Sequence, residues 1–360
     1  MTRPLSLYLD LVRFLAALAV FMAHASWDRW TGGLLWQLRP LGSDAVAVFF
    51  VLSGFVVAYA ATEREGSGRA YAVNRLARLH SGAVPAILLT LLADRVGNAL
   101  RPDMYAAFAG FRTDDTLWQA ANALLFTHEL WWNDVQPGTN LPYWSVGYEA
   151  MYYLGFGLLL FAPRGWRLAG AVGAMVLAGP DTAKLAPMWM LGAGAWWLGR
   201  QGTMSAGRGA VVWALSLIWL LGIVLPARLR ATLFVPMTGD PIYWGDILHY
   251  YSVAAAFTVN ILGFQAAAPL FAGTLERVAR PVRWLGGRTF ALYLFHMPLI
   301  QLMAAASPWP PSSWGTRGLV WFGVPAAIAV LAELSERRKD GWRRFYARIL
   351  PGVEREARAR

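Results

Sequence analysis

The sequence has no cysteine, only five histidines and few charges: 15% of its 360 residues are Asp, Glu, Lys or Arg. Without cysteine there are no disulfides, no thiolate metal ligands and no cysteine-linked acyl intermediate. The histidines stand at 24, 80, 128, 249 and 296 and form no i, i+4 pair, so no helical metal motif is present. A P-loop and a dinucleotide fingerprint are also missing. A soluble domain of this size would carry about a quarter charged residues.

In place of charge there is apolar length. Hydrophobic residues make up 57% of the chain, in runs that approach the about 20 residues a spanning helix needs. Nineteen Trp and thirteen Tyr suit the two membrane interfaces, where amphipathic rings collect. The expected fold class is all-α, a polytopic transmembrane bundle of about ten spanning helices. The spans are expected near 8–26, 43–62, 80–98, 142–162, 166–181, 184–200, 209–226, 247–269, 284–304 and 316–334. The fifth and sixth are short and close together, which reads as a tight helical hairpin. No internal repeat or low-complexity linker divides the chain, so 1–335 is expected to be one membrane domain, followed by a basic tail over 336–360. Residues 1–26 resemble a signal peptide, but Asp10 and Arg13 interrupt the apolar run and His24 occupies the supposed cleavage site. The segment reads as a retained first span.

The net charge of +11 does not point to nucleic acid, because the basic residues lie in short loops and in the tail. With ten spans and a cytoplasmic N-terminus, the cytoplasmic segments carry 22 of the 32 Lys and Arg residues. The positive-inside rule therefore puts both termini in the cytoplasm. The longest outer loop, 99–141, holds Asp103, Asp114, Asp115, Glu129 and Asp134 and predicts a short helix over 116–127. It reads equally as a structured cap and as a surface for a polar acceptor. The tail interleaves basic residues with Trp342, Phe345 and Tyr346, which suits an anionic inner leaflet and reads as an anchor.

Ionisable groups inside spans are costly and mark candidate sites. The first span has three. Arg13 and His24 are eleven residues apart, which on a helix leaves them within ~20° of one face and ~16 Å apart along the axis. Asp10 is three residues before Arg13 and can pair with it. Snorkelling of Arg13 and interfacial capping by His24 are the plainer alternatives for each residue alone. In the second span, Ser53-Gly54 makes a small notch in an aromatic run, suited to helix packing or to a thin ligand. Arg75 and Arg78 lie one turn apart at the inner surface, where guanidinium forks suit phosphates. The fourth span opens with Trp144, Ser145 and Tyr148 and buries Glu149, which can orient a histidine. The ninth carries His296 beside Pro298, which should kink the helix and free a carbonyl.

These residues together resemble the acyltransferase family 3 membrane proteins. The motifs are Asp10, Arg13 and His24; Phe49-Phe50-Val51-Leu52-Ser53-Gly54-Phe55; Arg75 with Arg78; Trp144-Ser145, Glu149 and Tyr152; and Leu292-Tyr293-Leu294 with His296 and Pro298. Their order agrees over about 8–334. Three positions depart from the family pattern: Ala45-Val46 replaces a Gly-Val pair, Ser81-Gly82 stands where a proline is usual, and Ala150 replaces a second acid. The resemblance implies ten spans, an acyl-CoA donor (often acetyl-CoA) and O-acylation of sugars in surface or secreted glycans, or of small molecules such as antibiotics.

By the same resemblance, His24 is the catalytic residue, with Glu149 and Arg13 in support. Arg75, Arg78, Ser53 and Gly54 are the donor-binding residues, and Trp144, Tyr148 and His296 are candidate acceptor contacts. No tightly bound cofactor is expected; acyl-CoA is a substrate. The expected partners are the bilayer, acyl-CoA and a saccharide, lipid-linked or not. The expected location is the bacterial inner membrane, multi-pass. Transport or flipping of a lipid-linked saccharide is the alternative from another class.

Overall fold

Apolar segments in a bilayer must satisfy their backbone groups internally, and an α-helix does so within one segment. The computed structural model describes residues 1–202, 204–234, 247–335 and 338–350, and among them every regular element is helical. Thirteen helices carry the architecture: α1 (Arg3–Ala25), α2 (Leu41–Glu63), α3 (Gly68–Leu100), α4 (Thr116–Leu125), α5 (Trp144–Phe161), α6 (Arg167–Ala178), α7 (Pro180–Gly199), α8 (Ala206–Phe234), α9 (Ile247–Arg277), α10 (Ala279–Gly286), α11 (Thr289–Ala306), α12 (Val324–Ser335) and α13 (Lys339–Ile349).

Among the described residues, seven helical segments are long and apolar enough to cross a membrane: Arg3–Ala25, Trp36–Glu63, Gly68–Leu100, Ala206–Val224, Ile247–Arg277, Thr289–Ala306 and Trp314–Glu333. The other three expected spans are helices too, but shorter or more polar. α6 has 12 residues, a rise of about 18 Å. α7 carries Asp181 and Lys184 in its first turns. α5 has 18 residues, with Glu149 in its second turn. The fifth and sixth expected spans meet at Gly179 alone, whose φ of +93° suits glycine. Parts of two expectations fall outside the described residues: the end of the 209–226 span, whose side chains from 225 on are not described, and 336–337 with 351–360 of the tail.

The chain divides into two units. The first comprises Met1–Tyr59, Leu185–Tyr293 and Ser307–Pro325; the second comprises Ala60–Lys184, Leu294–Ala306 and Ala326–Arg360.

In the first unit a buried polar chain ties α1, α8 and α9. The Tyr8 hydroxyl donates to Asn260 Oδ1 and accepts from Trp213 Nε1 at 3.1 Å, while Asn260 Nδ2 donates to Ser216 Oγ at 3.0 Å. The Tyr8 ring stacks on Phe264, centroids 3.7 Å apart. Between apolar helices such hydrogen bonds add direction to van der Waals packing.

In the second unit the loop after α3 is clamped to the helices. The Thr139 amide and hydroxyl donate to Asp94 at 2.8 and 2.5 Å, and the Gly138 amide donates to Gln119 Oε1 at 2.9 Å. Gly138 has a φ of +55°, and a Cβ there would fall 2.0 Å from Asp94 Oδ2. These bonds give the loop a fixed structure against α3 and α4. Its expected helix over 116–127 is α4, which stops two residues early because Phe126 turns left-handed at φ +58°.

α11 runs through Pro298 without breaking. Proline deprives the carbonyl four residues back of its helical donor, and that carbonyl is Leu294. Asn140 Nδ2 supplies the missing hydrogen bond at 3.0 Å and also donates to Thr90 Oγ1 at 3.0 Å.

Candidate functional site

α1 is continuous from Arg3 to Ala25, so the helical relation between Arg13 and His24 holds. Arg13 Nη1 lies 3.6 Å from Asp10 Oδ1, as the i, i+3 spacing predicts. Asp10 also pairs with Arg283 of α10, which donates to Ser6 Oγ at 2.9 Å. At the other end the helix is tied off firmly. Arg39 donates to the Ser26 carbonyl at 2.8 and 3.1 Å, Thr31 Oγ1 donates to the Ala25 carbonyl at 2.6 Å, and Arg317 Nε holds the Thr31 carbonyl at 3.0 Å. The Arg39 and Thr31 contacts fill carbonyls at the end of α1, in the turn that carries the half-buried His24. Its ring meets Trp27 edge-on at 5.7 Å, and Trp27 stacks on Trp30 at 5.0 Å.

One imidazole–carboxylate pair in this unit escaped the sequence reading. His249 Nε2 lies 2.7 Å from Asp44 Oδ1, with Asp44 buried in the first turn of α2. Gly42, two residues before Asp44, abuts Ala23: a Cβ there would stand 3.0 Å from the Ala23 Cβ. The start of α2 therefore lies against the His24 end of α1. No spacing rule links positions so far apart in the chain.

The notch at Ser53-Gly54 is a helix crossing. A Cβ on Gly54 would fall 1.9 Å from the Trp189 carbonyl oxygen, and one on Gly192 would fall 1.9 Å from the Val51 carbonyl oxygen. Trp189 Nε1 donates to Ser53 Oγ at 3.2 Å. α7 thus fills the face of Gly54 that a thin donor ligand would need, because two glycines in register let the backbones touch.

In the second unit Arg75, Tyr153 and two carboxylates form one array. Arg75 Nη2 pairs with the buried Glu65 at 2.6 Å, and Asn74 Nδ2 donates to the same carboxylate oxygen at 2.9 Å. The guanidinium lies over the rings of Tyr71 and Tyr153, at 5.5 and 5.6 Å. The Tyr153 hydroxyl donates to Glu149 Oε1 at 2.6 Å. Arg75 is thus charge-compensated by Glu65, although its buried Nε has no partner. Arg78 lies one turn further along α3. His24 belongs to the first unit and Glu149 to the second.

The α13 helix adds cations the sequence reading gave to the bilayer. Lys339 lies close enough to Arg78, Arg75 and Arg343 to feel their charge, and its ammonium is pushed down to about 8, by burial first and then by Arg78 and Arg75. Of the candidate acceptor contacts, Trp144 and Tyr148 meet edge-to-face at 5.0 Å at the start of α5. His296 is completely buried in α11, a packed position. Ser145 Oγ donates to the Pro142 carbonyl at 3.3 Å.

The loop before α5 holds two perturbed groups. His128 is fully buried with Nε2 3.2 Å from the Tyr143 carbonyl oxygen, and burial brings it down to about 4, so it is neutral at physiological pH. Glu129 is pushed up to about 8, by burial first and then by Asp134 and Asp181. Among the described residues no cluster of His, Asp or Glu has the makings of a metal site.

Comparison with known proteins fits these motifs. A family profile described as an acyltransferase domain, Acyl_transf_3, matches residues 6–332. Acyltransferase MdmB of Streptomyces mycarofaciens is 28% identical over 87% of this chain and 86% of its own length. Nodulation protein 10 of Rhizobium leguminosarum bv. viciae is 25% identical over 91% of this chain and 90% of its own. YrhL of Bacillus subtilis (strain 168), whose name assigns it provisionally as a peptidoglycan O-acetyltransferase, is 25% identical over 95% of this chain and 56% of its own. No solved structure matches the chain. With nearly every residue from the first helix to α12 inside the family match, and with a helical, multi-pass membrane architecture, the chain belongs to the acyltransferase family 3 of membrane proteins.

Proposed function

We propose that the chain is an acyl-CoA-dependent O-acyltransferase that moves an acyl group, acetyl in the simplest case, to a sugar hydroxyl of a surface or secreted glycan. The observation that carries this reading is α1, a single helix within the family match that holds Asp10 and Arg13 in its middle turns and the half-buried His24 in its last turn. On this reading the chain sits in a bacterial inner membrane with ten spans and both termini in the cytoplasm. The cytoplasmic end of α3 then meets the acyl-CoA pool with Arg75 and Arg78.

The chemistry is a direct transfer. His24 takes the proton of the acceptor hydroxyl as its oxygen attacks the thioester carbonyl. The carbon–sulfur bond breaks, the ester forms, and the departing thiolate takes up a proton. Glu149, the acidic position of α5, accepts from the Tyr153 hydroxyl, which fixes its rotamer. A histidine is suited to this step because its unperturbed pKa lies near working pH.

The test is incubation of membranes holding the full chain with acetyl-labelled acetyl-CoA and polysaccharide from a strain lacking the protein. Label is expected in the saccharide as an alkali-labile ester. Movement of a lipid-linked saccharide across the membrane without acetylation would overturn the proposal and favour a transporter. Label in small secreted molecules rather than polysaccharide would assign the acceptor to that class.

A further inference from the structure

α13 carries Lys339, Trp342, Arg343 and Tyr346 at offsets of zero, three, four and seven, which sets all four on one helical face. That face is the docked one. The rings of Trp342 and Tyr346 lie 5.6 and 5.4 Å from the His80 imidazole of α3. Arg69, in the first turn of α3, donates to the carbonyls of Ala347 and Leu350 at 2.6 and 2.8 Å and so ties down the far end of α13. Two helices far apart in sequence are thereby fastened at two places. The fastening brings Lys339 to Arg75, Arg78 and Arg343, near Glu65, which already holds Arg75 and Asn74.

Burying an ammonium among guanidinium groups costs free energy unless an anion completes the arrangement. The fall of Lys339 to about 8 expresses that cost. A helix serving only as a lipid anchor would turn its rings towards the bilayer and leave its cations in the headgroup layer. Here Trp342 and Tyr346 turn onto His80, and on the outer face Phe345 and Ile349 remain 49% and 55% exposed.

We infer that α13 is a wall of the acyl-donor site, where Lys339 and Arg343 join Arg78 in binding the phosphates at the nucleotide end of acyl-CoA. The inference rests on the acyl-CoA reading above and goes beyond it in assigning binding residues outside the membrane domain. A donor that ends in a pyrophosphate and a 3′-phosphate presents several anionic oxygens at once, which matches a cluster of cations better than a single pair. Arg75, compensated by Glu65 and wedged between Tyr71 and Tyr153, holds the end of α3 in place beside it.

The experiment measures acetyl-CoA binding by calorimetry to the full chain in nanodiscs of neutral phosphatidylcholine. Lys339→Gln with Arg343→Ala is expected to weaken binding about tenfold or more, as loss of charge-assisted phosphate contacts does. Lys339→Arg with Arg343→Lys should retain most of it. Arg343→Ala alone, at an exposed position, gives a well-folded intermediate. The double variant should also discriminate less between acetyl-CoA and 3′-dephospho-acetyl-CoA than the natural chain does. Equal affinity in the natural chain and the double variant would overturn the inference and leave the acyl-CoA reading standing. Absence of binding by the natural chain would overturn that reading itself. A difference seen only when anionic lipid is added would assign this face to the membrane and overturn the inference.

Discussion

Glu129 shows what a single residue can hide from sequence inspection. The loop reads as mixed and polar, and Asp134 is visibly near, but Asp181 arrives from the start of α7. Burial and these two carboxylates raise Glu129 to about 8, while an unfolded glutamate titrates near ~4.3. Between those values the folded chain holds a proton that the unfolded chain has released. The stabilisation this group contributes is therefore present at low pH and is lost as pH rises towards 8. Lys184, bound to Asp181 at 2.5 Å, offsets part of the repulsion. Glu129→Gln keeps the neutral form at every pH. Its thermal midpoint should match the natural chain's at pH 5 and exceed it at pH 8.5; parallel pH profiles would contradict the assignment.

At the scale of elements, α11 shows where sequence inspection reached and where it stopped. Pro298 foretold a freed carbonyl, and the i−4 rule points to Leu294. It did not foretell the donor, because Asn140 comes from a loop folded back by Asp94 and Gln119. Asn140→Leu should leave the buried Leu294 carbonyl unsatisfied at a cost of about 1–3 kcal/mol, read as a clear fall in thermal midpoint. An unchanged midpoint would mean that the Leu294 carbonyl is satisfied in another way. The Ser53-Gly54 notch makes the same point. Its sequence permits helix packing or a ligand, and only the meeting with Gly192 decides for packing. The basic, aromatic composition of α13 reads as a lipid anchor, and only His80 and Arg69 show which side of the helix is docked.

For the whole molecule, the class of fold was legible because bilayer length and hydrophobicity are one-dimensional properties of the chain. The motif residues in α1, α2, α3 and α5 were legible for the same reason, each being a local string. The His249–Asp44 pair and the Lys339–Arg78 cluster were not, since both depend on elements brought together by tertiary packing. Topology has a direct test, because a chain without cysteine is a ready background for single-cysteine labelling. With ten spans, cysteines at Asp103 and Pro311 should react with an impermeant maleimide in intact cells. Cysteines at Gly66, Gly165 and Asp340 should react only after permeabilisation. Labelling of position 165 from outside would contradict the ten-span arrangement.

The most direct measurement is the acetyl-transfer rate of His24→Ala, in membranes with protein level and fold matched to the natural chain. Loss of a positioned general base typically costs about 10²–10⁴-fold in rate. A fall of that size in kcat with donor binding intact is the predicted result. Transfer at the natural rate by His24→Ala would contradict catalysis by His24.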